Sequence, residues 1–247
     1  MISTVAPASR ATNRGTFLTV AVLFAVVVLA WWRTTADAER MCCMLDGIAR
    51  AGHDMPFDIG PFPFLGMWTV MMAAMMLPGM IPVVMRWHPL TGFAAATGYL
   101  VAWALTAPIA FGALATLNEV SHLNAWLNRI GGAVIAFAGA YQFTGWKRRN
   151  LERYGILDQT PSAAVSFVVG LSQGIRCLGS AWALMSVMLA VGVMNLPWIW
   201  AIGAICLGEQ TLRRRTALRI MVGLVLLALG LATVIHAQML NMLADSG

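Results

Sequence analysis

Charge is scarce in this sequence. Its 247 residues include 10 acidic and 16 basic side chains, 11% of the chain, against 60% hydrophobic residues. With a mean hydropathy of +0.75, that leaves too little polar surface to cover a water-soluble globule of this size, so a soluble single domain is not expected. Cysteine is scarce too. Cys42 and Cys43 are adjacent, while Cys177 and Cys206 stand far from them and from each other. No CxxC or zinc-ribbon spacing results, and a disulfide framework is not expected. P-loop, HEXXH, GxSxG and Rossmann signatures are all missing, which disfavours ATP-driven pumping and the familiar hydrolase mechanisms. Ser180 has no partner histidine or aspartate in its own apolar segment, so an intramembrane serine protease is a poor match and no catalytic constellation stands out.

The formal charge of +6 and pI near 9.8 would suit nucleic acid. However, the basic residues sit at the ends of apolar segments and alternate with them along the chain, as membrane orientation requires, and no nucleic-acid partner is expected.

The chain does have long apolar windows. Segments of about 17 to 25 residues are nearly free of charge, the length needed to cross a hydrocarbon core of about 30 Å at 1.5 Å per helical residue. Lipid cannot satisfy an open backbone, so these windows must be helices. The pattern predicts an all-α, polytopic transmembrane bundle forming one domain over 1–247, with about seven helices near 17–32, 65–85, 93–116, 130–146, 164–194, 197–211 and 216–240. The first run follows Arg10 and Arg14 as a signal peptide would, but it ends in Trp31-Trp32-Arg33 without a small-residue cleavage site. It reads as a first membrane helix.

A cytoplasmic N-terminus puts Arg10, Arg14, Arg86, Lys147, Arg148, Arg149, Arg153, Arg213, Arg214, Arg215 and Arg219 at the inner face, and only Arg33, Arg40, Arg50 and Arg129 outside. That asymmetry fits a bacterial inner membrane. The loop 33–64 then faces outward, as do His122 and His236.

The outer loop carries Met41, Cys42, Cys43, Met44, His53, Asp54 and Met55, and leads into a helix with six methionines between Met67 and Met80. Met67, Met71 and Met75 repeat at i, i+4, i+8, and so do Met72, Met76 and Met80. Thioether, thiolate and imidazole together suit Cu(I), whereas calcium or magnesium would need carboxylates. The competing reading is packing, because methionine is a flexible filler of gaps between helices.

Arg176 falls about 12 residues into the fifth helix, where a charge needs a partner or a watery cavity. The candidate partners are Glu209, Gln210, Gln142 and Gln173. Gly170 and Gly174 form a GxxxG pair suited to close helix packing. Pro78, Pro82 and Pro108 imply kinks.

The run 68–78, the segment Tyr141-Gln142-Phe143-Thr144 with Lys147, and the stretch 177–185 with Gly192-Val193-Met194 resemble a bacterial family of predicted metal-binding integral membrane proteins of unknown function. The resemblance covers about 68–209 and implies a membrane fold and metal binding. The family pattern has two cysteines where this chain has Asn150 and Tyr154, and a Cys-Cys where it has Ser180 and Ala181. Cys177 alone remains of that set.

The reading that joins these features is a membrane protein that binds or conducts a soft metal, with copper the expected one. The metal would enter through Met41, Cys42, Cys43, His53 and Met55 and pass to Met72, Met76 and Met80, with Cys177 as a further ligand and Arg176, Glu209 and Gln142 as intramembrane polar groups. Two alternatives stay open: a non-catalytic assembly subunit docking a membrane or periplasmic partner, and a component of a metal-dependent membrane oxidoreductase.

Overall fold

The computed structural model describes residues 10–42, 60–85, 87–119, 124–154, 162–212 and 215–245, and side chains over 15–39, 60–85, 87–116, 129–154, 162–212 and 216–236. Among these residues the chain is helical throughout, without strands. Helix α1 runs Arg10–Cys42. Helix α2, Pro61–Met76, continues through a 3-10 turn, Leu77–Met80, into the short α3, Ile81–Val84. Then follow α4, Pro89–Ala104; α5, Ala107–Glu119; α6, Asn124–Tyr141; α7, Gly145–Arg153; α8, Ala163–Val191; α9, Leu196–Thr211; and α10, Arg215–Asp245. Five stretches are long and apolar enough to cross a membrane: Gly15–Glu39, Pro61–Val84, Pro89–Thr116, Ala163–Val191 and Thr216–His236. Arg129–Tyr141 and α9 are apolar but shorter.

The expected loop 33–64 is corrected at both ends. Residues 33–42 continue α1, because alanine, glutamate and arginine favour helix and Arg33 pairs with Asp37 one turn on at 3.2 Å. At the other end Pro61 opens α2 within its first turn, where the missing N–H costs nothing. The fourth expected helix, 130–146, ends early at Tyr141. Its tail turns at Gln142–Thr144 into α7, capped by the Thr144 hydroxyl, which accepts from the Lys147 backbone N–H. Residues 164–194 form one helix ending at Val191, because Gly192 takes a left-handed φ of 104°.

Each proline leaves a mark. Pro78 sits in the 3-10 turn after α2. Pro108 follows the break between α4 and α5, where the Thr106 hydroxyl accepts from the Trp68 indole at 2.9 Å.

Helix α2 is central, touching α1, α4, α5 and α9, and every residue from Met71 to Leu77 is buried. A helix that is apolar all round belongs in a core. Small residues set the α4–α8 contact. A side chain at Gly98 would strike the Phe167 carbonyl, and one at Gly170 would strike the Ala95 carbonyl, so the backbones touch as small-xxx-small packing allows. Gly170→Val should therefore lower stability in detergent by about 1–3 kcal/mol or more. Gly112→Val, at a position with open space, should change little; thermal unfolding of the two variants checks this.

The outer surface is greasy. Phe17, Phe62 and Ile109 are 77%, 84% and 74% exposed, and the buried residues include Lys147, Glu209, Gln142 and Gln173.

Candidate functional site

The buried polar groups gather where α2, α4, α7, α8 and α9 meet. Cys177 lies midway along α8 and is fully buried. The Tyr99 hydroxyl of α4 is 3.0 Å from its sulfur and 3.2 Å from the Met76 carbonyl of α2. From α9, Gln210 Nε2 donates to the same sulfur at 3.1 Å. The other amide atom, Gln210 Oε1, rests on Gly79 in the 3-10 turn between Met76 and Met80, where a Cβ would collide with it. A side chain at Gly79 would displace the Gln210 amide, and the thiol and the methionine helix share two polar neighbours.

Tyr99 has a single hydroxyl proton for two acceptors. With Cys177 protonated, the thiol can donate to Tyr99 while Tyr99 donates to the Met76 carbonyl. With the sulfur anionic or metal-bound, the phenol turns its proton to the sulfur, alongside Gln210. Both states of the sulfur are accommodated by rotation of one hydroxyl. The Trp103 indole lies within electrostatic reach of the thiol without closing a hydrogen bond to it.

The second feature is an ion pair. Lys147 Nζ of α7 lies 2.7 Å from Glu209 Oε2 of α9, with side chains 0% and 2% exposed. The Thr144 cap and the short α7 turn this one lysine inward, while Arg148 and Arg149 beside it are exposed. Among the described residues, the second Glu209 oxygen and both amide atoms of the buried Gln142 have no hydrogen-bond partner.

The residues singled out from sequence are placed unequally. Met72 and Met76 of α2 and Met80 of the following 3-10 turn are buried at 0–1% exposure, and Met71 and Met75 of α2 are buried as well, at 0% and 2%. Met41 and Cys42 belong to α1, but their side chains lie outside the described residues, as do Cys43, His53, Met55 and His122 entirely. His236 is exposed on α10. Arg176 is half-buried and donates to the Arg153 carbonyl at 3.0 Å. None of the four expected partners takes that role, because α7 packs along α8 and brings a helix C-terminus to the guanidinium.

Sequence reasoning passed over Lys147, Tyr99 and Gln210 as site residues. Lys147 was hidden in a basic run assigned to the inner surface. Tyr99 and Gln210 had a usable signal, each being a polar group inside an apolar helix.

The α7–α8 packing also brings together the positions at which the family resemblance implies thiols. Asn150 rests against Gly179. The Tyr154 phenol, held above its ordinary pKa mainly by burial, lies beside Tyr99 and Cys177. The Ser180 hydroxyl bonds the Cys177 carbonyl at 2.8 Å. Of these positions, Tyr154 is the one placed beside the Cys177 thiol. Among the described residues no group of three histidine, cysteine, aspartate or glutamate side chains could hold a metal ion.

No curated protein and no solved structure is similar to the chain. Residues 65–233, which include α2 from Leu65 onward and every residue of the Cys177 cluster, match the model of a family described as copper chaperone. The match spans well over half of the 247 residues, and the chain therefore belongs to the PpoB2 copper chaperone family and has a copper-related function.

Proposed function

We propose that the chain is a multi-pass inner-membrane protein that takes up Cu(I) and holds it in the core between Cys177 and the methionines of α2, for transfer to a membrane or periplasmic partner. The observation that carries this reading is the Tyr99 hydroxyl, which lies 3.0 Å from the Cys177 sulfur and 3.2 Å from the backbone carbonyl of Met76, so that the thiol of α8 and the methionine helix meet at one phenol. Soft sulfur ligands select Cu(I), and the family's description points to the same metal.

The membrane part of the reading is supported by large apolar side chains on the exterior, with charged and amide side chains such as Lys147, Glu209, Gln142 and Gln173 buried inside, and by the five long apolar stretches. In this reading α6 and α9 also cross, giving seven spans with the N-terminus inside, and α7 lies at the inner face. Met41, Cys42, Cys43, His53 and Met55 would collect the ion at the outer face. In uptake the thiol proton leaves as Cu(I) arrives, so the charge of the buried site is unchanged and no new buried charge has to be stabilised. The chain supplies ligands and a dry passage, with copper as cargo.

Detergent-purified protein loaded with Cu(I) under reducing conditions should carry about one copper per chain by mass spectrometry. Met72→Leu/Met76→Leu should lower that content while leaving the fold intact, because the swap nearly conserves volume. Cys42→Ser/Cys43→Ser should slow loading from a Cu(I) donor. Absence of copper in the wild type would overturn the reading and leave the methionines as packing.

A further inference from the structure

A groove of about 480 Å³ opens on the outside of the bundle along α8; it shares Trp103 with the surroundings of Cys177, but Cys177 itself does not line it. It extends from Ile175 to Leu189, about 21 Å at 1.5 Å per residue, and Trp68, Trp103, Trp146 and Trp182 line it. Its walls are almost wholly apolar. One leaflet's acyl layer is about 15 Å, half of a core of about 30 Å, so the groove is long enough for a single acyl chain and too greasy to hold water.

Its α7 end differs from the rest. Trp146 and Asn150 line the groove, and Arg149 and Arg153 share their face of α7 at i+3 and i+7 from Trp146. Both arginines are exposed. Arg176, next in sequence to the groove-lining Ile175, reaches the Arg153 carbonyl, so its guanidinium stands at the same corner. The nearby Glu152 is taken by Arg148 at 3.6 Å. Among the described residues no acidic side chain pairs with Arg149, Arg153 or Arg176. An apolar channel one acyl chain long therefore ends at three arginines without an acidic partner, beside an indole of the kind that anchors at membrane interfaces.

We propose that this groove binds an anionic phospholipid, with one acyl chain along α8 and the phosphodiester at Arg149, Arg153 and Arg176. Arginine matches phosphate because its planar fork presents paired donors, and a zwitterionic headgroup would bring its own cation into the same corner. The proposal rests on the membrane placement above and is independent of copper.

The test uses the full chain in phosphatidylcholine vesicles doped with phosphatidylglycerol or phosphatidylcholine that carries a photoreactive acyl chain, with adducts mapped by peptide mass spectrometry. Labelling by phosphatidylglycerol should concentrate on α8 and α7 residues of the groove, exceed that by phosphatidylcholine several-fold, and be displaced by unlabelled phosphatidylglycerol only. Arg149→Gln/Arg153→Gln, two exposed changes, should remove the headgroup preference. Ser186→Phe, which fills the groove, should remove the adducts there. Equal labelling by both lipids, or adducts spread evenly around the belt, would overturn the lipid site alone. No labelling by either lipid would overturn the membrane placement as well.

Discussion

Lys147→Met is expected to destabilise the protein by about 3–5 kcal/mol, because it leaves the carboxylate of Glu209 buried without its counter-ion. The two side chains are 0% and 2% exposed and 2.7 Å apart, and the second Glu209 oxygen has no hydrogen-bond partner among the described residues that could take up the loss. The reverse change, Glu209→Leu, strands an ammonium in the same place and should be comparably damaging. The double variant Lys147→Met/Glu209→Leu is the informative comparison. It removes both charges and fills the space with apolar atoms, so it should recover most of the loss, as buried pairs replaced together usually do. Thermal unfolding of the four proteins in one detergent reads this directly. If Lys147→Met is as stable as wild type, the two groups are not paired in the folded protein. If the double variant is as poor as either single one, the damage comes from packing around α7 and not from an uncompensated charge.

The pair also shows where sequence stops being informative. Lys147 stands in a run with Arg148, Arg149 and Arg153, and a count of basic residues treats all of these alike. Only the turn at Gln142–Thr144 separates it from them. It starts α7 on a Thr144 cap, so Lys147 and Leu151 face inward while the arginines face out. By contrast, Glu209 was legible, since an acid within an otherwise apolar segment must find a partner.

The apolar runs were legible for a related reason. Length and lack of charge constrain a helix wherever lipid or core surrounds it: the expected segments 17–32, 197–211 and 216–240 fall within single helices, whereas 65–85, 93–116, 130–146 and 164–194 overrun a break, a turn or a helix end. The methionine periodicity carried less than it first suggests. Because Met71 through Leu77 are all buried, two i, i+4 stripes on one helix do not single out a ligand face. What singles out the Met76–Gly79 end of the helix is long-range contact, Tyr99 of α4 reaching the Met76 carbonyl and Gln210 of α9 lying against Gly79, and spacing within α2 carries no trace of that.

Cys177→Ser is expected to lower Cu(I) affinity by more than the roughly 10–100-fold typical of losing a supporting hydrogen bond around a metal site, while changing stability little, since the hydroxyl can keep the neighbours Tyr99 and Gln210. Tyr99→Phe separates two roles for the phenol. If Tyr99 only packs, the variant binds copper normally. If its proton turns to the sulfur when metal is bound, affinity should fall about 10–100-fold with all sulfur ligands still present. Competition against a Cu(I) chelator of known affinity gives both numbers, and X-ray absorption at the copper edge should show sulfur-only coordination that persists in Tyr99→Phe and changes in Cys177→Ser. Unchanged affinity in Cys177→Ser would move the site away from α8, to the thiols at Cys42 and Cys43 or to methionines alone. Cys206, also buried, is the internal control. No side-chain hydrogen bond among the described residues reaches its sulfur as they reach Cys177, and Cys206→Ser should leave copper binding as it is.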